Sequence, residues 1–165
     1  MTPVRFIRMT EVQFERLHSA LITPCGREHQ AYLLGGLTQN GLVVARVVVP
    51  GDDEYDERTA TSVVTSPACL LRVARQFQDE EFDFVADCHS HPFTDDAAWF
   101  SGTDDRWIVG TRDRTFLRRR PSATFVRFVT GSSRDGFTCQ WWDSDDRQWR
   151  NIPELQVVGQ AGGQT

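Results

Sequence analysis

The chain lacks any apolar stretch long enough to cross a bilayer, a CxxC pair, an internal repeat and a low-complexity segment. A spanning helix needs about 20 consecutive apolar residues, whereas the segment Met1 to Met9 holds two arginines and no such run. Neither a signal peptide nor a membrane span is expected, and a cytoplasmic protein follows. Cys25, Cys69, Cys88 and Cys139 are widely spaced, which suits reduced thiols better than a disulfide framework. Spacing alone marks none of them as catalytic. Basic patches are scarce too: the net charge is −5, and the one concentrated basic run is Arg118-Arg119-Arg120. This argues against a nucleic-acid binder relying on phosphate neutralisation. The arginine run reads as the solvated end of a helix, where cations favour the dipole, with contact to a phosphate or acidic partner as the alternative.

What is present suits a globular chain. Its 165 residues, 39% hydrophobic and 25% charged, fit one domain that buries a real core. No linker divides it, so a single domain over residues 1–158 with a flexible tail at 159–165 is expected. Thr10 with Gln13 resembles a capping box, and Phe14, Leu17 and Leu21 share a helical face, so a helix is predicted from about Thr10 to Thr23. The apolar runs Glu28 to Leu37 and Leu42 to Val49 flank Thr38-Gln39-Asn40-Gly41 and read as a hairpin. Gly51 to Thr61, with Asp52, Asp53, Glu54, Asp56 and Glu57, reads as an exposed acidic loop.

Ser66-Pro67 starts a second helix striped by Leu70, Val73, Ala74 and Phe77, and Phe82 to Ser90 is the next strand. Ser101 to about Leu117 looks helical, with Trp107 and Ile108 turned inward. A second hairpin joins Ala123–Thr130 to Gly136–Trp142, and Pro153 to Val158 adds a short strand. Interleaved helices and strands with two hairpins give the α/β class and a mixed sheet packed by helices.

The stretch Asp87-Cys88-His89-Ser90-His91-Pro92 carries the chemistry. Histidines two apart at a strand end point to the same face and can reach one metal; a bare HxH is also compatible with hydrogen-bonded strand histidines. Ser101-Gly102-Thr103-Asp104 taken alone is an ordinary helix start. It also brings a carboxylate to a first helical turn that the Pro92 to Phe100 loop can fold over the histidines. Two imidazoles and one carboxylate leave a fourth position open, the arrangement of catalytic zinc. Glu28 stands at the mouth of a strand that otherwise reads as core, where a solvated acid is the plain alternative.

Taken together, these segments resemble the JAMM, or MPN-plus (JAB), metalloprotease family, in the manner of a bacterial deubiquitinase-like member. Its pattern is a glutamate in an E-x-x-G-L-L-x-G type strand, then HxHP, then SxxD opening a helix. Glu28, Leu33 and Gly35 match the first part, with Ala31 and Tyr32 departing from it; His89, His91 and Pro92 match the second; Ser101 and Asp104 match the third. The gap from His91 to Ser101 is two residues longer than usual in the family. SxxD spacing selects Asp104 over Asp105, and Asp95 and Asp96 lie too near His91.

The resemblance implies a mixed, curved β-sheet in the MPN/JAMM, cytidine-deaminase-like layered architecture. It implies one zinc per chain on His89, His91 and Asp104, with Glu28 as general base and Ser101 as oxyanion donor. The activity it implies is peptidase or isopeptidase cleavage after the tail of a ubiquitin-like or sulfur-carrier-like protein. That substrate, and the activating or conjugating enzymes serving it, would be the partners, with no nucleic acid and no membrane. The rival from another class is a non-catalytic MPN scaffold. Trp99 and Phe100 could wall a channel for glycines or pack in the core, and the acidic loop could meet a basic tail or be merely solvated. Ala161-Gly162-Gly163 reads as a frayed end more than a cleavable tail.

Overall fold

A computed structural model describes residues 3–94, 99–101, 108, 110–133 and 136–159. Among the described residues the strands are β1 (Phe6–Thr10), β2 (Gln30–Leu37), β3 (Gly41–Val48), β4 (Tyr55–Arg58), β5 (Val63–Thr65), β6 (Phe84–Ser90), β7 (Thr124–Thr130), β8 (Phe137–Asp143), β9 (Gln148–Asn151) and β10 (Glu154–Val158). The helices are α1 (Glu11–Leu21) and α2 (Pro67–Asp79). Eight strands form one mixed sheet in the order β10-β1-β3-β2-β6-β7-β8-β9, curled into a half-barrel, and β4 pairs with β5 apart from it. The class is mixed α/β, dominated by sheet. Among the described residues no helix is long and apolar enough to cross a membrane.

Both helices start where local chemistry dictates. Thr10 Oγ1 accepts from the Gln13 N–H at 3.2 Å while Gln13 Oε1 accepts from the Thr10 N–H at 2.9 Å, which satisfies two donors that a helix start leaves open. Ser66 Oγ accepts from the Cys69 N–H at 3.2 Å, and Pro67 follows with no N–H to satisfy. The strand period of two then sorts the core. Leu33, Ala86 and Val126 meet Phe14, Leu17 and Leu21 of α1 on one face. Leu34, Val85 and Phe125 meet Val73, Ala74 and Phe77 of α2 on the other.

At Gly35 the β2 ladder is bulged, and any Cβ there would stand 2.0 Å from the Val43 carbonyl oxygen and 2.6 Å from the Phe84 ring. Only glycine lets the strands close.

Four segments differ from the sequence-based expectation. Gly51 to Thr61 is not a plain loop. It folds into a 3-10 turn (Asp52–Glu54) followed by β4, because its acids find partners: Asp52 Oδ1 meets Arg58 Nη1 at 2.9 Å, and Glu54 Oε2 meets Arg72 Nη2 of α2 at 2.6 Å. β1 and β9 form without a periodic signal of their own. β9 is turned back by Asp143, whose Oδ1 accepts the Asp145 N–H at 3.1 Å and whose Oδ2 accepts Arg150 Nε at 2.7 Å. Where a third helix was expected, the described residues hold a π-helical turn, Arg112–Leu117, that buries Phe116 against Phe77 and Phe125. Ile108 is buried as expected, while Trp107, Asp104 and the 160–165 tail fall outside the described residues.

Candidate functional site

The antiparallel register of β2 and β6 sets Leu34 beside Val85, Tyr32 beside Asp87 and Gln30 beside His89. In the parallel β6–β7 pair, Val85 faces Phe125 and Asp87 faces Arg127. All of these positions share the α2 side of the sheet. That side therefore grades along the strands, from the apolar row Leu34, Val85, Phe125, through Tyr32, Asp87 and Arg127, to Gln30 and His89. Just past the strand ends, Glu28 and His91 complete it.

Glu28, Gln30, Asp87, His89, His91 and Arg127 are all buried. Burying so many polar groups costs stability unless they pair, and part of the pairing is plain: Gln30 Nε2 donates to Asp87 Oδ1 at 2.9 Å, and Arg127 Nε donates to Gln140 Oε1 at 2.8 Å.

At the polar end, the chain is held by backbone bonds. The Glu28 N–H donates to the Thr59 carbonyl at 2.7 Å, the Ser90 N–H to the His29 carbonyl at 3.1 Å and the His91 N–H to the Thr130 carbonyl at 2.8 Å. Glu28 Oε1 stands 3.8 Å from His91 Nε2, too far for a direct hydrogen bond. The His89 and His91 ring centroids are 5.0 Å apart with planes inclined at 59°. Two imidazoles bound to one zinc through bonds of about 2.0–2.1 Å at a tetrahedral angle would have centroids about 5 Å apart. The ring separation alone is therefore no obstacle to a shared metal ion.

Among the described residues, no group of three or more His, Cys, Asp or Glu side chains stands at metal-holding distances. The expected third ligand, Asp104, lies outside the described residues, as do Asp95, Asp96 and Asp105. Glu28, His91 and Ser101 line an open pocket of about 320 Å³ together with Thr61, Phe93, Thr94 and Trp99. Ser101, expected as the oxyanion donor, is thereby brought to the same pocket as Glu28. Phe93 stacks on His91 with centroids 5.7 Å apart, and Trp99 is 74% exposed on the rim. Phe100 is engaged differently: its centroid is 5.9 Å from that of His89, and the Arg127 guanidinium carbon lies 4.0 Å from it and 4.2 Å from the Trp149 centroid.

Sequence reasoning missed Gln30, Asp87 and Arg127. The signal was available for two of them, since Gln30 is two residues beyond Glu28 and Asp87 two before His89, on the same face. It also passed over a contact on the other side of the chain, where Cys25 meets His29.

No family model matches the chain, and no curated protein matches it. Among solved structures it is similar to the solution structure of protein DSY2949 from Desulfitobacterium hafniense, at 15% identity and a TM-score of 0.55, over 96% of this chain and 99% of that one. At that identity the likeness speaks to the fold: the two chains share an architecture over nearly their whole lengths.

Proposed function

We propose that this chain is a zinc-dependent peptidase or isopeptidase that hydrolyses the bond after the C-terminal tail of a ubiquitin-like or sulfur-carrier-like protein. The observation that carries the reading is the buried Glu28 carboxylate, 3.8 Å from the His91 imidazole, with His89 beside it and Ser101 on the same pocket. The JAMM-like order of Glu28, His89-Ser90-His91-Pro92 and Ser101-Gly102-Thr103-Asp104 supports it. On this reading the mixed sheet belongs to the layered MPN architecture, residues 1–158 are one domain, and the protein works in the cytoplasm.

His89, His91 and Asp104 would hold the zinc. Bound there, the ion supplies Lewis acidity that makes hydroxide available near neutral pH. Glu28 takes the proton of the attacking water and hands it to the leaving amine, a task suited to a carboxylate within reach of the pocket. Ser101 Oγ donates to the oxyanion as the carbonyl becomes tetrahedral. Phe93 and Trp99 line the rim of the pocket, where they would flank a bound glycine tail. Phe100 takes no such part, being occupied by His89 and Arg127.

The acidic stretch is less suited to a basic tail than its composition suggests, since Glu54 is engaged by Arg72; Asp52, paired with Arg58 but still exposed, and Asp53, Asp56 and Glu57 remain open to solvent. Incubation with a panel of ubiquitin-like fusions and conjugates, wild type beside Glu28→Gln, tests the proposal. Cleavage by the wild type alone supports it. Bound zinc without cleavage of any tail points instead to a non-catalytic MPN scaffold.

A further inference from the structure

Three side chains converge on the approach to β2, away from the pocket. Cys25 Sγ lies 3.2 Å from His29 Nε2, and Thr23 Oγ1 lies 2.9 Å from each of them. Cys25 is exposed on the turn after α1, where Gly26 adopts φ +65°. His29 is buried, edge-on to Tyr55 with centroids 6.3 Å apart, and its backbone N–H donates to Ser90 Oγ at 3.0 Å. A nucleophile and a fixed base within hydrogen-bond reach are the geometry of an activated thiol.

We propose that Cys25 is a covalent modification site, a thiol activated by His29 and Thr23 that exchanges with low-molecular-weight disulfides. In the step, the Cys25 proton passes to His29 Nε2 and the thiolate attacks one sulfur of the disulfide. A Cys25–S–S–R bond forms, the original S–S bond breaks, and the departing thiolate takes the proton from His29. The small disulfide is the oxidant: Cys25 is oxidised as one sulfur of the reagent is reduced to the free thiol.

The surroundings favour this course. The Thr23 hydroxyl and the Arg27 backbone N–H stabilise the thiolate and hold the Cys25 thiol below its ordinary value. Burial and the nearby Arg58 charge hold His29 below its ordinary value, with Asp52 opposing and Arg27 assisting; the closeness of its ring nitrogen to Cys25, not its basicity, is what serves the transfer. The other three cysteines serve as internal controls: each is buried, and burial pushes Cys69 up to about 11 and raises Cys88 and Cys139 further. Neither Cys25 nor Thr23 lines the pocket, so the proposal stands apart from the zinc reading.

The test is incubation of the full chain with oxidised glutathione at pH 6, followed by intact and peptide mass spectrometry. A single mixed disulfide on Cys25 is expected. It should form roughly fivefold faster than on a synthetic peptide of residues 22–27, the gain in thiolate fraction being partly offset by lower intrinsic nucleophilicity. His29→Gln should bring the rate down to that of the peptide, and Thr23→Val, which leaves the ring in place, should lower it in part. A rate no faster than the peptide's, or one unchanged in both variants, would overturn the proposal.

Discussion

Glu28 is the residue on which the proposed chemistry turns. A carboxylate only 3% exposed beside an imidazole is costly to bury without a task or a partner, and a general base has both. Glu28→Gln is expected to keep zinc while turnover falls by about a hundred- to ten-thousandfold, read by metal analysis beside steady-state kinetics. His89→Ala and Asp104→Ala should lose the metal itself. Ser101 has a different part: Ser101→Ala should retain zinc and lower kcat by about a hundred- to a thousandfold with KM little changed, as loss of one oxyanion donor does. A raised KM at constant kcat would make Ser101 a ground-state binding residue instead.

At the scale of elements, the strands position these residues through one graded face, and Arg127 links that face to the segment leading into Ser101. Its stacking on Phe100 and Trp149 predicts that Arg127→Ala leaves zinc bound but loosens residues 99–101, seen as faster amide exchange there and a lower kcat.

A second element-scale contact joins the 3-10 turn to α2. The hydrogen bonds and charge of Arg72 hold the Glu54 carboxyl below its ordinary 4.5. A carboxyl lowered in the folded state contributes fully above pH 4.5 and loses that contribution as pH falls through its folded value. The Tm advantage of wild type over Glu54→Gln should therefore be present at pH 7 and shrink below pH 4.5; an advantage independent of pH would assign it to packing.

These elements also show what could be read from the chain. α1, α2 and the β2–β3 hairpin were legible because their signals are local: Thr10 with Gln13, Ser66 with Pro67, and the Thr38 to Gly41 turn. β1 was not, because its partners β3 and β10 lie far along the chain and pair in parallel. In the site, Glu28, His89 and His91 were legible from spacing and order. Arg127 was hidden inside a strand whose burial only the register reveals, and Cys25 and His29 meet only because the Pro24 to Gly26 turn folds the thiol back.

For the molecule as a whole, one eight-stranded sheet runs from β10 at one edge to β9 at the other and carries the candidate site near its centre, at the ends of β2 and β6. A metal that binds the folded state and not the unfolded one stabilises the entire fold, by about 4 kcal/mol at a thousandfold excess over its dissociation constant. Chelation is accordingly expected to lower Tm as well as abolish activity, and added zinc to restore both. The most direct test sets wild type and Glu28→Gln side by side, each analysed for zinc and incubated with the same ubiquitin-like fusions. One zinc per chain in both, with cleavage after the tail in the wild type alone, is the predicted result. Undiminished cleavage by Glu28→Gln, or cleavage that resists chelation and yields to thiol alkylation, would contradict the account.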